Sequence, residues 1–310
     1  MTPSGSPASC GGIAKGLHRL QHPVLPLARI VQLLYLTGPF TSLDEVMEQL
    51  NEPVETNGAL YLDPRATLAP YLTVLRQLES VKGGTAGDSG LPRILDEQFA
   101  PLDLLSSLEG WMGQQILTME LEKINSLMCG PTRCTHCCTG PDHHRRNPAG
   151  PGADREFFEI PLADHEIDLF GLPRIDNSRS RALTALDEPP LSRNGKPFFA
   201  NGAALYHWRT GWSMILPVRS VCPHLDHDTG ACVIYEERPD VCRRPPIFPY
   251  LLERCPDSDA GAADSVQPAY TLQRKLLAVW DCPYVRNWKK AIAAYGEMCD
   301  LEPVFRENKV

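Results

Sequence analysis

The chain has 310 residues, of which 43% are hydrophobic and 22% charged, and its formal net charge is -8 at pH 7. A chain of this length can bury a sizeable core in one large domain or two modest ones. The negative charge argues against a nucleic-acid-binding protein, because such proteins hold phosphates with an excess of Lys and Arg. We therefore expect a globular protein with no nucleic-acid partner.

The most apolar stretch near the N-terminus indicates neither a membrane span nor a signal sequence. It runs from Val24 to Leu36, is short, and contains Pro26 and Arg29. We therefore expect a cytoplasmic protein with no membrane partner. Thiols stay reduced in the cytoplasm, and the 11 cysteines are an odd number. A cysteine cluster is thus expected to bind metal or act in catalysis rather than form disulfides.

The N-terminal part of the chain is predicted to be helical. Residues 1–12 are rich in Ser, Gly and Pro and predict a disordered tail. Ser42 and Glu45 form a capping box that predicts a helix in SLDEVMEQL, and residues 67–84 repeat apolar side chains with a helical period.

The strongest predicted helix runs from Asp103 to Met128 along an apolar stripe. Gly130 and Pro131 predict its end, so Cys129 is expected in or just after the final turn.

The remainder of the chain alternates predicted loops with short elements. The predicted loops are residues 83–90, 141–154 and 257–268. Residues 156–162 and 212–218 predict strands, residues 163–171 a short helix, and residues 283–299 a C-terminal helix. The fold class is therefore predicted to be α-rich α+β, with a few short strands. The predicted regions are a tail (1–12), a helical region (13–128), an irregular metal-stapled cysteine domain (129–300) and a second tail (301–310).

Two groups of cysteines make up the candidate metal site. CGPTRCTHCC begins at residue 129, and CPHLDHDTGACVIYEERPDVCRR begins at residue 222. The turn signal Asp-Thr-Gly within the second group predicts that its first two thiols converge across a short hairpin. The predicted ligands are Cys129, Cys134, Cys137, Cys138, Cys222, Cys232, Cys242 and Cys282.

Two adjacent cysteines rarely point at one tetrahedral ion, so Cys137 and Cys138 are expected to serve different metal atoms or to bridge them. Soft thiolates accept zinc and iron alike, including iron in an iron–sulfur cluster, and ligand counting does not decide between these cofactors. Arg238 and Arg243, with the adjacent Arg244, are candidates to hydrogen-bond the sulfurs and neutralise the site.

The alternative is that these arginines pair with the neighbouring acidic side chains. The acidic residues are Glu236, Glu237 and Asp240. His224, two residues from a predicted ligand, is a further candidate for ligation or proton exchange.

The motifs CTHCC, CPHLD, CVIYEERPDVCRR and a later Cys-Pro resemble the CxxCxxCC, or YkgJ-type, zinc- or iron-chelating proteins. The resemblance spans Cys129 to Tyr284 and implies metal chelation without implying a reaction. The usual first spacing is Cys-x-x-Cys, which the longer gap before Cys134 does not follow. The eighth ligand is expected to be Cys282 or Cys255, and we favour Cys282 because its Cys-Pro is similar to the ending of the family's pattern.

The predicted cysteine site is consistent with two functions. In the first, the cysteines hold a structural or stored metal, and the helical region binds a protein partner or a small substrate. In the second, a Cys-ligated iron or iron–sulfur centre performs redox or Lewis-acid chemistry on a substrate held between the two regions. No catalytic residue is predicted.

Overall fold

The described part of the chain forms a helix-rich α+β fold, which confirms the predicted fold class. A computed structural model describes residues 7–82, 91–96, 98–132, 138, 156–185, 191–217, 220–244, 246–255, 268–280 and 282–306. The predicted loops at 83–90 and 141–154, and all but the last residue of 257–268, lie outside these ranges. No helix in the described ranges is long and apolar enough to cross a lipid bilayer.

Seven of the described helices precede residue 133. They are α1 (Pro7–Gln21), α2 (Val24–Thr37), α3 (Leu43–Gln49), α4 (Pro64–Leu68), α5 (Leu72–Leu75), α6 (Gln77–Lys82) and α7 (Leu104–Thr132). Later come the helices Ser178–Arg181, Asp240–Arg243, Pro283–Asn287 and Lys289–Met298, and the 3-10 turns are Ala69–Tyr71, Asp164–Leu169 and Tyr235–Glu237.

The strands are short except for two near the C-terminus. They are β1 (Val54–Thr56), β2 (Ala59–Tyr61), β3 (Arg93–Leu95), β4 (Phe157–Leu162), β5 (Arg174–Ile175), β6 (Ser192–Arg193), β7 (Lys196–Pro197), β8 (Ala204–Trp208), β9 (Gly211–Pro217), β10 (Ile247–Arg254), β11 (Ala269–Val279) and β12 (Glu302–Arg306).

Helix α7 lies between two hydrophobic cores and contributes side chains to both. Leu108, Met112 and Ile116 share a face that packs into the first core, with α2, α3 and the short helices α4 to α6. The α7 residues of the second core are Leu117, Leu121, Ile124 and Met128. A helix that is apolar on two faces is stable only in the interior, so α7 is the axis of the fold.

The predicted helix from Asp103 to Met128 is confirmed, but its predicted end is wrong. The helix continues through Gly130 and Pro131 to Thr132. Cys129 lies in the last turn of the described helix, within the predicted range, and packs against the second core. Tertiary packing stabilises this last turn of the helix, although Gly130 and Pro131 disfavour helix locally.

Both predicted tails contain regular structure in the described residues. α1 begins at Pro7, and its Leu20 is buried in the second core. Strand β12 pairs in parallel with β11, from Lys275 opposite Glu302 to Val279 opposite Arg306. These segments are ordered by packing and by pairing with distant parts of the chain, which local composition does not reveal.

The helical region contains a confirmed cap and an unpredicted hairpin. Ser42 accepts a hydrogen bond from the Glu45 amide at 3.3 Å and begins α3 as predicted. Strands β1 and β2 then form a hairpin whose turn residues Asn57 and Gly58 have φ of 47° and 78°. The Asn-Gly pair is the usual signal for such a turn, because both positions need positive φ.

Two four-stranded sheets carry the second half of the chain. One has the order β4-β9-β8-β5, and the antiparallel β4–β9 pair confirms the two strands predicted from residues 156–162 and 212–218. In the other, β11 lies between β10 and β12, and β3 also pairs with β11. Strand β3 therefore joins the helical region to the C-terminal sheet.

The second core combines residues from both sides of the predicted boundary at residue 128. Leu20 and Leu121 pack there with Ile247, Leu276 and Tyr284. Division of the chain into helical and cysteine domains stays a prediction. The second core and the β3–β11 pair bind the two parts to each other.

Candidate metal centre

Six of the eight predicted ligands are described: Cys129, Cys138, Cys222, Cys232, Cys242 and Cys282. Cys134 and Cys137 lie outside the described residues. The six fall into three places: beside the sheet β4-β9-β8-β5, on the helix Asp240–Arg243, and near Tyr284 with the C-terminal turn of α7.

The first place joins the two cysteine groups of the sequence. The backbone N–H of Cys222 donates to the carbonyl of Cys138 over 2.8 Å. Burial raises the pKa of Cys222, and the neighbouring Cys232 contributes to that rise. Cys222 also packs beside the core formed by β4, β8 and β9. Cys138 and Cys232 are thus both close to Cys222, which packs beside this sheet.

A tight turn brings Cys222 and Cys232 together, as predicted. Asp226 accepts hydrogen bonds from the amides of Asp228 and Thr229 at 2.9 Å and 3.1 Å. Gly230 donates to the Asp226 carbonyl at 2.8 Å with φ of 68°, a value that favours glycine. The bridge between Leu225 and Cys232 then closes the turn.

His224 is occupied by a contact within the protein. Its Nε2 lies 2.7 Å from the carbonyl oxygen of Leu169, and its ring packs against Phe170 with 5.0 Å between centroids. The ring therefore connects the cysteine turn to the 3-10 turn after β4. The contact of Nε2 with Leu169 fixes the orientation of the ring, and only Nδ1 is left to bind a metal.

The second place is the helix Asp240–Arg243, which carries Cys242 and is fastened to α7. Buried Asn125 donates to the carbonyls of Arg244 and Ile247, each at 2.7 Å. On the other side, Glu166 accepts from the Asp240 amide at 2.7 Å. These buried polar contacts set the position of Cys242 relative to α7.

Arg238 and Arg243 hold the loop that precedes Cys242. Arg238 donates to Ser126 Oγ at 3.1 Å and lies over the ring of Tyr235 at 3.8 Å. Arg243 donates to the carbonyls of Arg238 and Glu236 at 2.5 Å and 3.4 Å. Their hydrogen bonds with described residues thus go to backbone and hydroxyl oxygens, whereas a role at the sulfurs stays a prediction.

The third place surrounds the buried hydroxyl of Tyr284, which has Cys129 and Cys282 nearby. The side chain of Tyr284 is fully buried, and burial together with nearby Cys129 and Cys282 raises its pKa well above the ordinary value. Among the described residues, its hydroxyl has no hydrogen-bond partner. Cys255 instead lies with Leu95 in a separate small core.

A complete ligand set is not present in the described part of the chain. Within those residues, no three His, Cys, Asp or Glu side chains form a group that could hold a metal ion. The described cysteines supply partial sets: Cys222 with Cys232, and Cys129 near Cys282. Cys134 and Cys137 are the further thiols that the prediction adds.

A cavity of about 530 Å³ opens between α7 and residues 241–244 and 247–250. The α7 residues along it are Gln114, Thr118, Leu121 and Glu122. This cavity was not predicted from the sequence. The signal was available, since these residues recur at spacings of three and four, which place them on one helix face.

No protein-family model, curated protein or solved structure matches this chain. The similarity to YkgJ-type proteins therefore stays a prediction from motifs.

Proposed function

We propose that this protein binds zinc or iron, the iron as single ions or in an iron–sulfur cluster, through its clustered cysteines. The proposed ligands are Cys129, Cys134, Cys137, Cys138, Cys222, Cys232, Cys242 and Cys282. We also propose that it acts in the cytoplasm, where thiols stay reduced, and that the helical region 13–128 binds a protein partner or small substrate.

The hydrogen bond between the Cys222 amide and the Cys138 carbonyl carries this proposal. It brings two cysteine groups that are far apart in the sequence to one place. A turn also places Cys232 beside Cys222. Soft sulfur ligands from separate segments are therefore close together, as they are in metal sites that stabilise small domains.

The buried hydroxyl of Tyr284 gives independent support. An unpaired buried hydroxyl is unfavourable, and this one lies near Cys129 and Cys282. Metal-bound thiolates accept hydrogen bonds from surrounding donors, so a metal held by these cysteines would give the hydroxyl an acceptor.

Metal analysis of protein purified without oxygen tests the proposal. We expect near-stoichiometric zinc, or iron with acid-labile sulfide and visible absorption. Cys222→Ser and Cys232→Ser should each lose most of that metal, whereas Cys10→Ser, outside both cysteine groups, should retain it. Wild-type protein with neither metal, or Cys222→Ser with unchanged metal content, would show that the proposal is wrong.

The cavity favours a second candidate, a metalloenzyme that holds its substrate between the helical region and the cysteine domain. Val241 and Arg244 line the cavity on either side of Cys242 in the sequence. Circular dichroism of Cys138→Ser separates the candidates. Loss of the folded C-terminal region favours a structural metal, whereas a retained fold without metal favours a catalytic centre.

A further inference from the structure

The cavity beside α7 has the size and lining of a small-molecule site. Its volume of about 530 Å³ falls within the range of natural ligand pockets. Leu121, Ile247 and Phe248 make much of its wall apolar. An apolar wall with a few polar groups binds the body of a ligand by burial and orients it through those groups.

Most polar atoms along the wall are used within the protein. Gln114 Oε1 accepts from the amides of Leu251 and Leu252, each at 3.0 Å. Thr118 Oγ1 donates to the Gln114 carbonyl at 2.7 Å, and Tyr250 donates its hydroxyl proton to Glu253. These groups shape the cavity and have little capacity left for a ligand.

Glu122 is the exception on this wall. Its side chain is 27% exposed, and its carboxylate lies 3.9 Å from Nε of Arg244, too far for a hydrogen bond. Burial raises its pKa, nearby Asp240 raises it further, and Arg244 and Arg243 lower it. A partly buried carboxylate whose charged partner is this distant is stabilised when a ligand donates a hydrogen bond to it.

The arrangement of charge favours a cationic ligand over an anionic one. Arg244 is 61% exposed and lies at the rim, whereas Glu122 is the deeper charge. Electrostatic interactions strengthen as water is excluded, so the deeper group dominates. Phe248 and Tyr250 also line the cavity, and aromatic faces attract organic cations.

We propose that this cavity binds an organic amine, with its ammonium group paired to Glu122 and its apolar body against Leu121, Ile247 and Phe248. The proposal goes beyond metal binding, because no predicted cysteine ligand lines the cavity, and it names the ligand class that the second candidate function would hold there. Probe binding and metal content are measured separately, so either proposal can fail without the other.

Calorimetric titration with three compounds tests the proposal. The compounds share one phenylalkyl chain and differ in the polar group at its end. The probes are 4-phenylbutylamine, 4-phenylbutanol and 4-phenylbutyrate. We expect the amine to bind at least about tenfold more tightly than the alcohol, as a charge-assisted hydrogen bond gives, and the carboxylate to bind most weakly. Glu122→Gln should abolish this preference while leaving the affinity for the alcohol unchanged, which also reports an intact cavity.

Two further variants complete the test. Glu48→Gln removes an exposed carboxylate on α3, away from the cavity, and should keep the wild-type preference. Arg244→Gln removes the competing cation and should raise the affinity for the amine a few-fold. The proposal is overturned if none of the probes binds, if the carboxylate binds most tightly, if Glu122→Gln keeps the preference for the amine, or if Arg244→Gln weakens amine binding.

Discussion

Tyr295 donates its hydroxyl proton to Oε2 of Glu120 over 2.8 Å, and both side chains are fully buried. The same carboxylate accepts from the amide of Val24 at the first turn of α2, at 3.0 Å and 3.1 Å. Glu120 therefore joins α7, α2 and the helix Lys289–Met298 through one buried group. Donors and a helix N-terminus offset part of the cost of burying it.

This buried carboxylate predicts a pH-dependent stability. Burial raises the pKa of Glu120 to about 7 from an ordinary 4.5, although Tyr295, Val24 and Arg19 each lower it. Between these pH values the folded state holds a proton that the unfolded state has released. The stability from this proton is complete below pH 4.5 and is lost as the pH rises through 7, a change of about 3 kcal/mol.

Urea unfolding from about pH 5 to about pH 8 measures this effect. Glu120→Gln cannot titrate and should show a flatter dependence of the free energy of unfolding on pH. Glu48→Gln, which changes an exposed carboxylate, should retain the wild-type slope. Equal slopes for wild type and Glu120→Gln would mean that Glu120 does not titrate in this range.

Asn125→Ala should be strongly destabilising. The change removes the donor of the part-buried Arg244 carbonyl and the buried Ile247 carbonyl, and each unpaired buried group costs about 1–3 kcal/mol. We expect a loss of about 2–4 kcal/mol in the free energy of unfolding, measured by chemical denaturation. Asn51→Ala, at an exposed position, should cost under about 1 kcal/mol. A loss at Asn125 no larger than that at Asn51 would contradict the bridging role.

Gly230→Ala should disturb the turn that brings Cys222 and Cys232 together. A residue with a Cβ at φ of 68° costs about 1–2 kcal/mol. We expect a lower melting temperature and weaker metal retention. Gly171→Ala is the matched control, because an added Cβ there meets open space and its φ is not positive. If the two substitutions change the melting temperature and the metal retention equally, the positive φ at Gly230 is not required.

Tyr284→Phe should have opposite effects on metal-free and metal-loaded protein. Removing an unpaired buried hydroxyl from metal-free protein should be neutral or stabilise it by up to about 1 kcal/mol. If bound metal turns Cys129 or Cys282 into an acceptor, the variant should lose about tenfold in metal affinity.

Tyr206→Phe is the control for this change. Its buried hydroxyl already donates to the Phe198 carbonyl at 2.9 Å, so its loss should cost about 1 kcal/mol in either state. Unchanged metal affinity in Tyr284→Phe would remove the support that this hydroxyl gives to a metal site.

Features with a local physical cause could be predicted from the sequence. The helix α3 follows from the Ser42 cap, and the turn before Cys232 follows from Asp-Thr-Gly, because a cap and a turn each need only a few neighbouring residues. Most of α7 follows from its apolar period. The Asn57-Gly58 pair is an equally local signal for a hairpin, but this segment was predicted to be helical.

Features that depend on residues far apart in the chain were decided by the tertiary structure alone. The continuation of α7 to Thr132, the pairing of β3 and β12 with β11, and the separation of Cys255 from Cys282 each depend on distant packing partners. The cavity beside α7 likewise exists only where α7 meets residues 241–244 and 247–250. The sequence by itself determined which residues form caps, turns and periodic helices. Long-range packing decided which of them meet, because contact energies between distant segments leave no local pattern.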